Sequence, residues 1–195
     1  MSDFVLATAN EHKAREMRAL LEPSGLVLVD RPEGVADVDE TEATLEGNAV
    51  LKATALCEAT GTAAIADDTG LFVDALEGRP GVRSARYAGE HASYEDNVTR
   101  LLLELADVPE QRRGARFRTV IAVVYPSGES FSVDGVLEGR ITDHPVGENG
   151  FGYDPVFVAN DAGGRTLAQL SDEEKNDVSH RARALRALVE ELVRR

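Results

Sequence analysis

The sequence predicts an α/β protein with a long mixed central β-sheet flanked by helices. Three observations carry that expectation. Short apolar runs of strand length alternate with helical patterns bounded by caps and glycines. Two longer segments, 116–125 and 130–141, meet at Pro126-Ser127-Gly128-Glu129 and read as a hairpin, so the sheet is not purely parallel. The 195 residues, 43% of them hydrophobic, suffice for a sizeable core and fit a single domain spanning 1–195.

Phe4-Val5-Leu6-Ala7-Thr8 reads as the first strand. Asn10 then caps a helix with apolar face Ala14, Met17, Leu20 and Leu21, which Pro23 and Gly25 end. Thr8 to Lys13 gathers two small polar side chains, helix-start amides and a lysine. Such a start suits phosphate, although the glycine-rich run of a P-loop is missing; an ordinary cap with a solvated lysine uses the same residues. Residues 30–42 are acidic and aperiodic (Asp30, Glu33, Asp37, Asp39, Glu40, Glu42) and read as a loop of mostly solvated charges. A second helix starts at Thr44 and runs through Leu45, Ala49, Ala53, Leu56 and Cys57 to Gly61. It carries Asn48 and Lys52 one turn apart on one side.

Thr62 to Ala66 has the length and flanks of a buried strand, closed by Asp67-Asp68-Thr69-Gly70. Ligands of open α/β sheets bind just past strand carboxyl ends, which places the chemistry here. Two ionised carboxylates about 4 Å apart repel by roughly 4 kcal/mol at an effective dielectric of about 20. A buried pair therefore needs a shared proton, a basic partner or a cation such as magnesium. The alternative is an acidic turn with Asp68 as a cap.

Gly78 to Gly89, with Arg79, Pro80, Arg83 and Arg86, reads as a shaped loop where Ser84 and Arg86 could meet phosphate. Ser93 and Asp96 start a helix faced by Tyr94, Val98, Leu101, Leu102 and Leu105 and ended by Pro109. After the hairpin, Gly150-Phe151-Gly152-Tyr153-Asp154-Pro155 frames a ring with glycines. That turn can stack on a base or pack on the core. A strand follows at 156–158. Ser171 and Glu174 form a capping box for a helix striped by Val178, Ala182, Leu185, Val189 and Leu192. Lys175, His180 and Arg181 lie off the stripe, either solvated or gripping phosphate and base.

Composition excludes several classes. A net charge of −14 and a pI near 4.7 argue against polymeric nucleic acid, while leaving room for a local positive pocket. No stretch approaches 18 uninterrupted apolar residues, so no transmembrane helix is expected. Met1-Ser2-Asp3 carries no leader signature. The single Cys57 excludes an internal disulfide and fits a reducing cytoplasm. The four histidines lack zinc-ligand spacing.

Taken together, the motifs are specific. In order they are Thr8-x-Asn10-x-x-Lys13, Asn48-x-x-x-Lys52-Ala53, Ala66-Asp67-Asp68-Thr69-Gly70-Leu71, Ser84-Ala85-Arg86-Tyr87, Gly150-Phe151-Gly152-Tyr153-Asp154-Pro155 and Ser179-His180-Arg181. From about residue 4 to the C-terminal helix, the chain resembles the inosine triphosphate pyrophosphatase family. The resemblance implies two lobes with an active-site cleft, a homodimer, and magnesium-dependent conversion of non-canonical purine triphosphates (ITP, dITP, XTP, dXTP) to the monophosphate and pyrophosphate. By position it implies Asp68 as acid/base and metal ligand, with Glu40 as the other metal carboxylate. It implies substrate contacts from Thr8, Asn10, Lys13, Lys52, Thr69, Phe151, Gly152, Tyr153, Asp154, Lys175, His180 and Arg181. Three positions depart from the family pattern: Ala9 for a frequent glycine, Thr69 for serine, and Gly47 for a glutamate. The reaction so implied is attack of water on the α-phosphorus, with Asp68 deprotonating the water. Two alternatives have other consequences: a Maf-like pyrophosphatase would prefer other bases, and a nucleotide sensor would bind without turnover.

Overall fold

A computed structural model of the chain describes residues 3–8, 10–36 and 38–195. Ala9 and Asp37, both singled out in the sequence, lie outside the described residues, as do Met1 and Ser2. The strands are β1 (Asp3–Leu6), β2 (Val27–Val29), β3 (Ala63–Val73), β4 (Pro80–Gly81), β5 (Gly114–Val124), β6 (Ser130–Ile141) and β7 (Phe157–Ala159). The helices are α1 (Glu11–Leu21), α2 (Leu45–Thr60), α3 (Tyr94–Glu104), α4 (Asp172–Val178) and α5 (His180–Arg194). The strands form one mixed sheet of order β2-β1-β3-β5-β6-β7, with β4 paired to β3. The expected α/β class with a mixed sheet is what the chain adopts.

The chain divides into two compact units. Unit 1 comprises Met1–Asp68, Thr119–Gly135 and Arg181–Arg195. Here β1 pairs in parallel with β2 (Phe4 opposite Leu28) and with β3 (Val5 opposite Ala64). Its core gathers Phe4 and Leu6 of β1, Met17 and Leu21 of α1, Ile65 of β3 and Leu185 of α5. Both helix starts are capped, that at Asn10 as the sequence predicts. Asn10 accepts from the amides of His12 and Lys13, and Thr44 from that of Gly47. Gly61, at φ 65°, closes α2.

Unit 2 comprises Thr69–Arg118 and Val136–His180. Its core packs Leu71, Leu101, Phe117, Leu137, Ile141 and Phe157. There β3 pairs antiparallel with β4 (Leu71 opposite Gly81) and β6 with β7 (Arg140 opposite Val158). A Cβ on Gly70 would lie 2.6 Å from the Gly81 carbonyl oxygen, so only glycine lets β4 approach.

The structure corrects three expectations. The central strand does not stop at Ala66 but runs on to Val73, so Asp67-Asp68-Thr69-Gly70 is strand rather than loop. Pairing with β4 and burial of Leu71 and Val73 keep the segment extended past its carboxylates. The helix capped by Ser171 is not continuous with the C-terminal one. Ser179, at φ −63° and ψ 156°, closes α4, and α5 starts afresh at His180. Helix α3 ends at Glu104, where buried Arg113 donates to the Leu105 carbonyl, well before Pro109. The short strand β2 carried no periodic signal.

Candidate active site

The site in unit 1 is built on the alternation of β3. Successive side chains of a strand point to opposite faces, so Asp67 and Asp68, both buried, serve different neighbours. Asp68 faces α2. It accepts a hydrogen bond from Asn48 Nδ2 at 3.1 Å and lies 3.4 Å from Lys52 Nζ. Asn48 and Lys52, one turn apart, reach the same carboxylate from one helix face, and Asn48 Oδ1 also accepts from the Glu42 amide. Lys52 Nζ lies 2.7 Å from Glu40 Oε1, which draws the acidic loop onto the helix.

Asp67 faces the other way. Its Oδ2 is 3.1 Å from Lys13 Nζ and accepts from Arg181 Nε at 3.3 Å and Nη2 at 3.2 Å. Arg181, only 1% exposed, turns Nη1 onto Glu16 of α1. Neighbouring carboxylates thus receive opposite electrostatic treatment. Burial by itself would raise Asp67, but Lys13, Arg181 and Lys52 hold its carboxyl far below the usual range. Burial pushes Asp68 above that range; Lys52 pulls back and Glu40 adds to the rise. Asp67 is a fixed anion, and Asp68 is the better proton acceptor.

Among the described residues, no group of three or more His, Cys, Asp or Glu side chains is arranged to hold a metal. Asp68 and Glu40 nevertheless converge on one ammonium, and their charges raise each other's cost. Magnesium typically uses one or two protein carboxylates and completes its shell with water and substrate phosphate. The donor set fits that pattern.

The remaining predicted residues of unit 1 lie at the start of α1. Thr8 Oγ1 accepts from the Asn10 amide at 3.2 Å, and Asn10 in turn caps the helix, so both hold the turn that carries Lys13. Thr69, half-buried, continues β3 as the first residue of unit 2.

Unit 2 holds the aromatic turn. Asp154 accepts from the Phe151 amide at 2.8 Å and lies 2.7 Å from Lys175 Nζ. The same ammonium is 4.5 Å from the centroid of the Phe151 ring. Gly150, at φ +74°, could carry no Cβ, because the atom would fall 2.2 Å from Asp154 Oδ2. Gly152, at φ 64°, lets the chain turn, and the buried Tyr153 hydroxyl donates to the Ser84 carbonyl at 2.8 Å. Ser84 itself donates to the Gly81 carbonyl and accepts from the Leu71 amide, a role inside the fold. His180 is buried and stacks on Phe117 at 4.6 Å.

Two of the predicted substrate contacts are paired within the protein. Lys175 is 4% exposed and its charge is matched by Asp154. On Arg181, Nε, Nη1 and Nη2 are engaged by two carboxylates. Sequence reasoning missed Glu16 altogether. Its only signal was the three-residue spacing from Lys13 on one helix face.

Residues 4–191 match the model of the Ham1 family. A Bacillus licheniformis protein named dITP/XTP pyrophosphatase is 47% identical over 190 residues, covering 96% of each chain. A protein of that name from Symbiobacterium thermophilum is 50% identical, covering 97% of this chain and 94% of its own. Among solved structures, a HAM1 protein from Coxiella burnetii superposes with a TM-score of 0.90 at 38% identity and full coverage of both chains. The Staphylococcus aureus Ham1 protein gives 0.86 at 40% identity, covering 97% of each.

Proposed function

Because this chain belongs to the Ham1 family, we propose that it hydrolyses non-canonical purine nucleoside triphosphates, dITP and XTP among them, to the monophosphate and pyrophosphate. We take it to act with magnesium, as a homodimer in the cytoplasm. The observation that carries the reading is the divided treatment of Asp67 and Asp68, with Asp68 and Glu40 converging on Lys52.

In this reading Asp68 orients a water and accepts its proton as the water oxygen bonds to the α-phosphorus. The bond from that phosphorus to the α–β bridging oxygen breaks, and pyrophosphate leaves with the electron pair. Magnesium held by Asp68 and Glu40 would neutralise charge developing on the phosphate oxygens. Lys13 and Lys52 supply positive charge that the chain's net −14 otherwise lacks. Asn48 fixes the rotamer of Asp68, and burial raises that carboxyl toward the working range of a general base. We assign the base to the Phe151 turn, whose ring lies 4.5 Å from the Lys175 ammonium and whose amide donates to Asp154.

The test is a panel of triphosphates (dITP, XTP, ITP, dGTP, dATP, dCTP) incubated with the protein and magnesium. Monophosphate and pyrophosphate are quantified in each case. Turnover of dITP and XTP at rates far above the ordinary nucleotides is expected. Binding without products would make the protein a sensor, and preference for a pyrimidine substrate would move it to another class of pyrophosphatase.

A further inference from the structure

We propose that Glu16 is a positioning residue for the phosphate end of the substrate, acting through Arg181 and Asp67 on Lys13. This rests on the reading of Lys13 as a phosphate contact. Four charges of alternating sign run in order: Glu16 of α1, Arg181 of α5, Asp67 of β3 and Lys13 of α1. The two α1 members are three residues apart, on one face of the helix. The chain of contacts therefore leaves α1, crosses α5 and β3, and returns to α1 one turn nearer its start.

The central pair is deeply desolvated, Arg181 at 1% and Asp67 at 2% exposure. The flanking side chains are not, at 12% for Glu16 and 18% for Lys13. Four formal charges sum to zero, so the cluster carries Lys13 without a net charge of its own. Asp67 Oδ2 is shared between an ammonium and two guanidinium nitrogens, all at 3.1–3.3 Å. Glu16 is a second anion that the guanidinium meets beside Asp67. With Glu16 neutral, Arg181 and Lys13 compete for the Asp67 carboxylate. A planar fork that meets it with two donors outcompetes a single ammonium on a flexible stem. Lys13 then loses its anchor and its fixed placement at the start of α1. Asp68, on the opposite face of β3, keeps Asn48 and Lys52, so proton abstraction is the step least affected.

The test uses full-length E16Q and E16D, with wild type, K13Q and the double variant E16Q/K13Q alongside. Pyrophosphate binding is measured by titration calorimetry, and dITP and dATP turnover by steady-state kinetics, at a temperature where each variant is folded by circular dichroism. Wild-type turnover of dITP tests the functional reading separately. If that turnover is absent, the proposed function fails, and the pyrophosphate titration still reads Glu16. E16Q is expected to weaken pyrophosphate binding and raise the KM for dITP together, by about tenfold, within the coupling measured inside single ion-pair networks. The expected change in kcat is under about threefold, with the dITP to dATP ratio unchanged and the E16Q effect absent in the K13Q background. E16D, one methylene short but charged, should fall between E16Q and wild type. Should E16Q not fold, E16D carries the test, and wild-type pyrophosphate affinity in it would overturn the proposal. Also overturning are a folded E16Q with wild-type pyrophosphate affinity, a loss confined to kcat, or an E16Q effect of undiminished size in the K13Q background.

Discussion

Replacing each of the adjacent aspartates by asparagine should separate stability from chemistry. Asp67, 2% exposed, is the anion shared by Lys13 and the fully buried Arg181. Asparagine keeps the shape but removes one of the two carboxylates that meet that guanidinium. Removing one partner from a buried ion pair costs about 3–5 kcal/mol. In a chain of this size each kcal/mol moves Tm by about 2–4 °C, so D67N should melt roughly 6–20 °C below wild type. Asp68 behaves otherwise. Burial raises its proton affinity, so its charge is held at a cost, and Lys52 keeps Glu40 at 2.7 Å when Asp68 is neutral. D68N should therefore melt within a few degrees of wild type, about 1 kcal/mol or less. Its turnover should fall by about 10²–10⁴-fold, the usual loss of a general base. Calorimetry near neutral pH and a pyrophosphate-release assay read the two quantities. Acid titration adds a sign. Because the folded-state affinity of Asp67 for its proton is depressed, its contribution is fully present above the unfolded value of about 3.9 and is lost as pH falls through the folded value. The stability gap between wild type and D67N should accordingly narrow on acidification. Equal melting shifts in the two variants, or a D68N enzyme with near-normal turnover, would refute the division of labour.

Two further outcomes follow from unit 2. K175M removes the ammonium from Asp154 and from the Phe151 ring, so the KM for dITP should rise while pyrophosphate affinity, measured by calorimetry, stays within about twofold. G70A places a Cβ 2.6 Å from the Gly81 carbonyl, a backbone atom that cannot swing aside. It should lower stability by about 1–3 kcal/mol in a thermal melt.

Much of this was legible before the fold was seen. The caps at Asn10, Ser93 and Ser171 are local devices, in which a short polar side chain meets amides two or three residues on. All three formed as the sequence implied. The hairpin that joins 116–125 to 130–141 was equally local. What failed was long-range. The extension of β3 past its carboxylates depends on β4, a two-residue strand that no periodicity announces. The break at Ser179 interrupts an apolar stripe that continues on both sides of it, so the stripe read as one helix. The candidate site shows the same divide. Asn48 and Lys52 were paired by helix spacing before their common target was known. The target itself, Asp68 rather than Asp67, needed the strand's alternation. Glu16 was invisible because its partner, Arg181, lies 165 residues away.

The central claim is that the α-phosphorus is the atom attacked, with Asp68 as base. The direct measurement is hydrolysis of dITP in oxygen-labelled water, with mass analysis of both products from wild type and D68N. The account predicts label in dIMP alone, unlabelled pyrophosphate as the co-product, no dIDP at any time, and a collapse of this signal in D68N. Label in pyrophosphate would place the attack on the β-phosphorus; dIDP with orthophosphate as first products would place it on the γ-phosphorus. Either result would contradict the account.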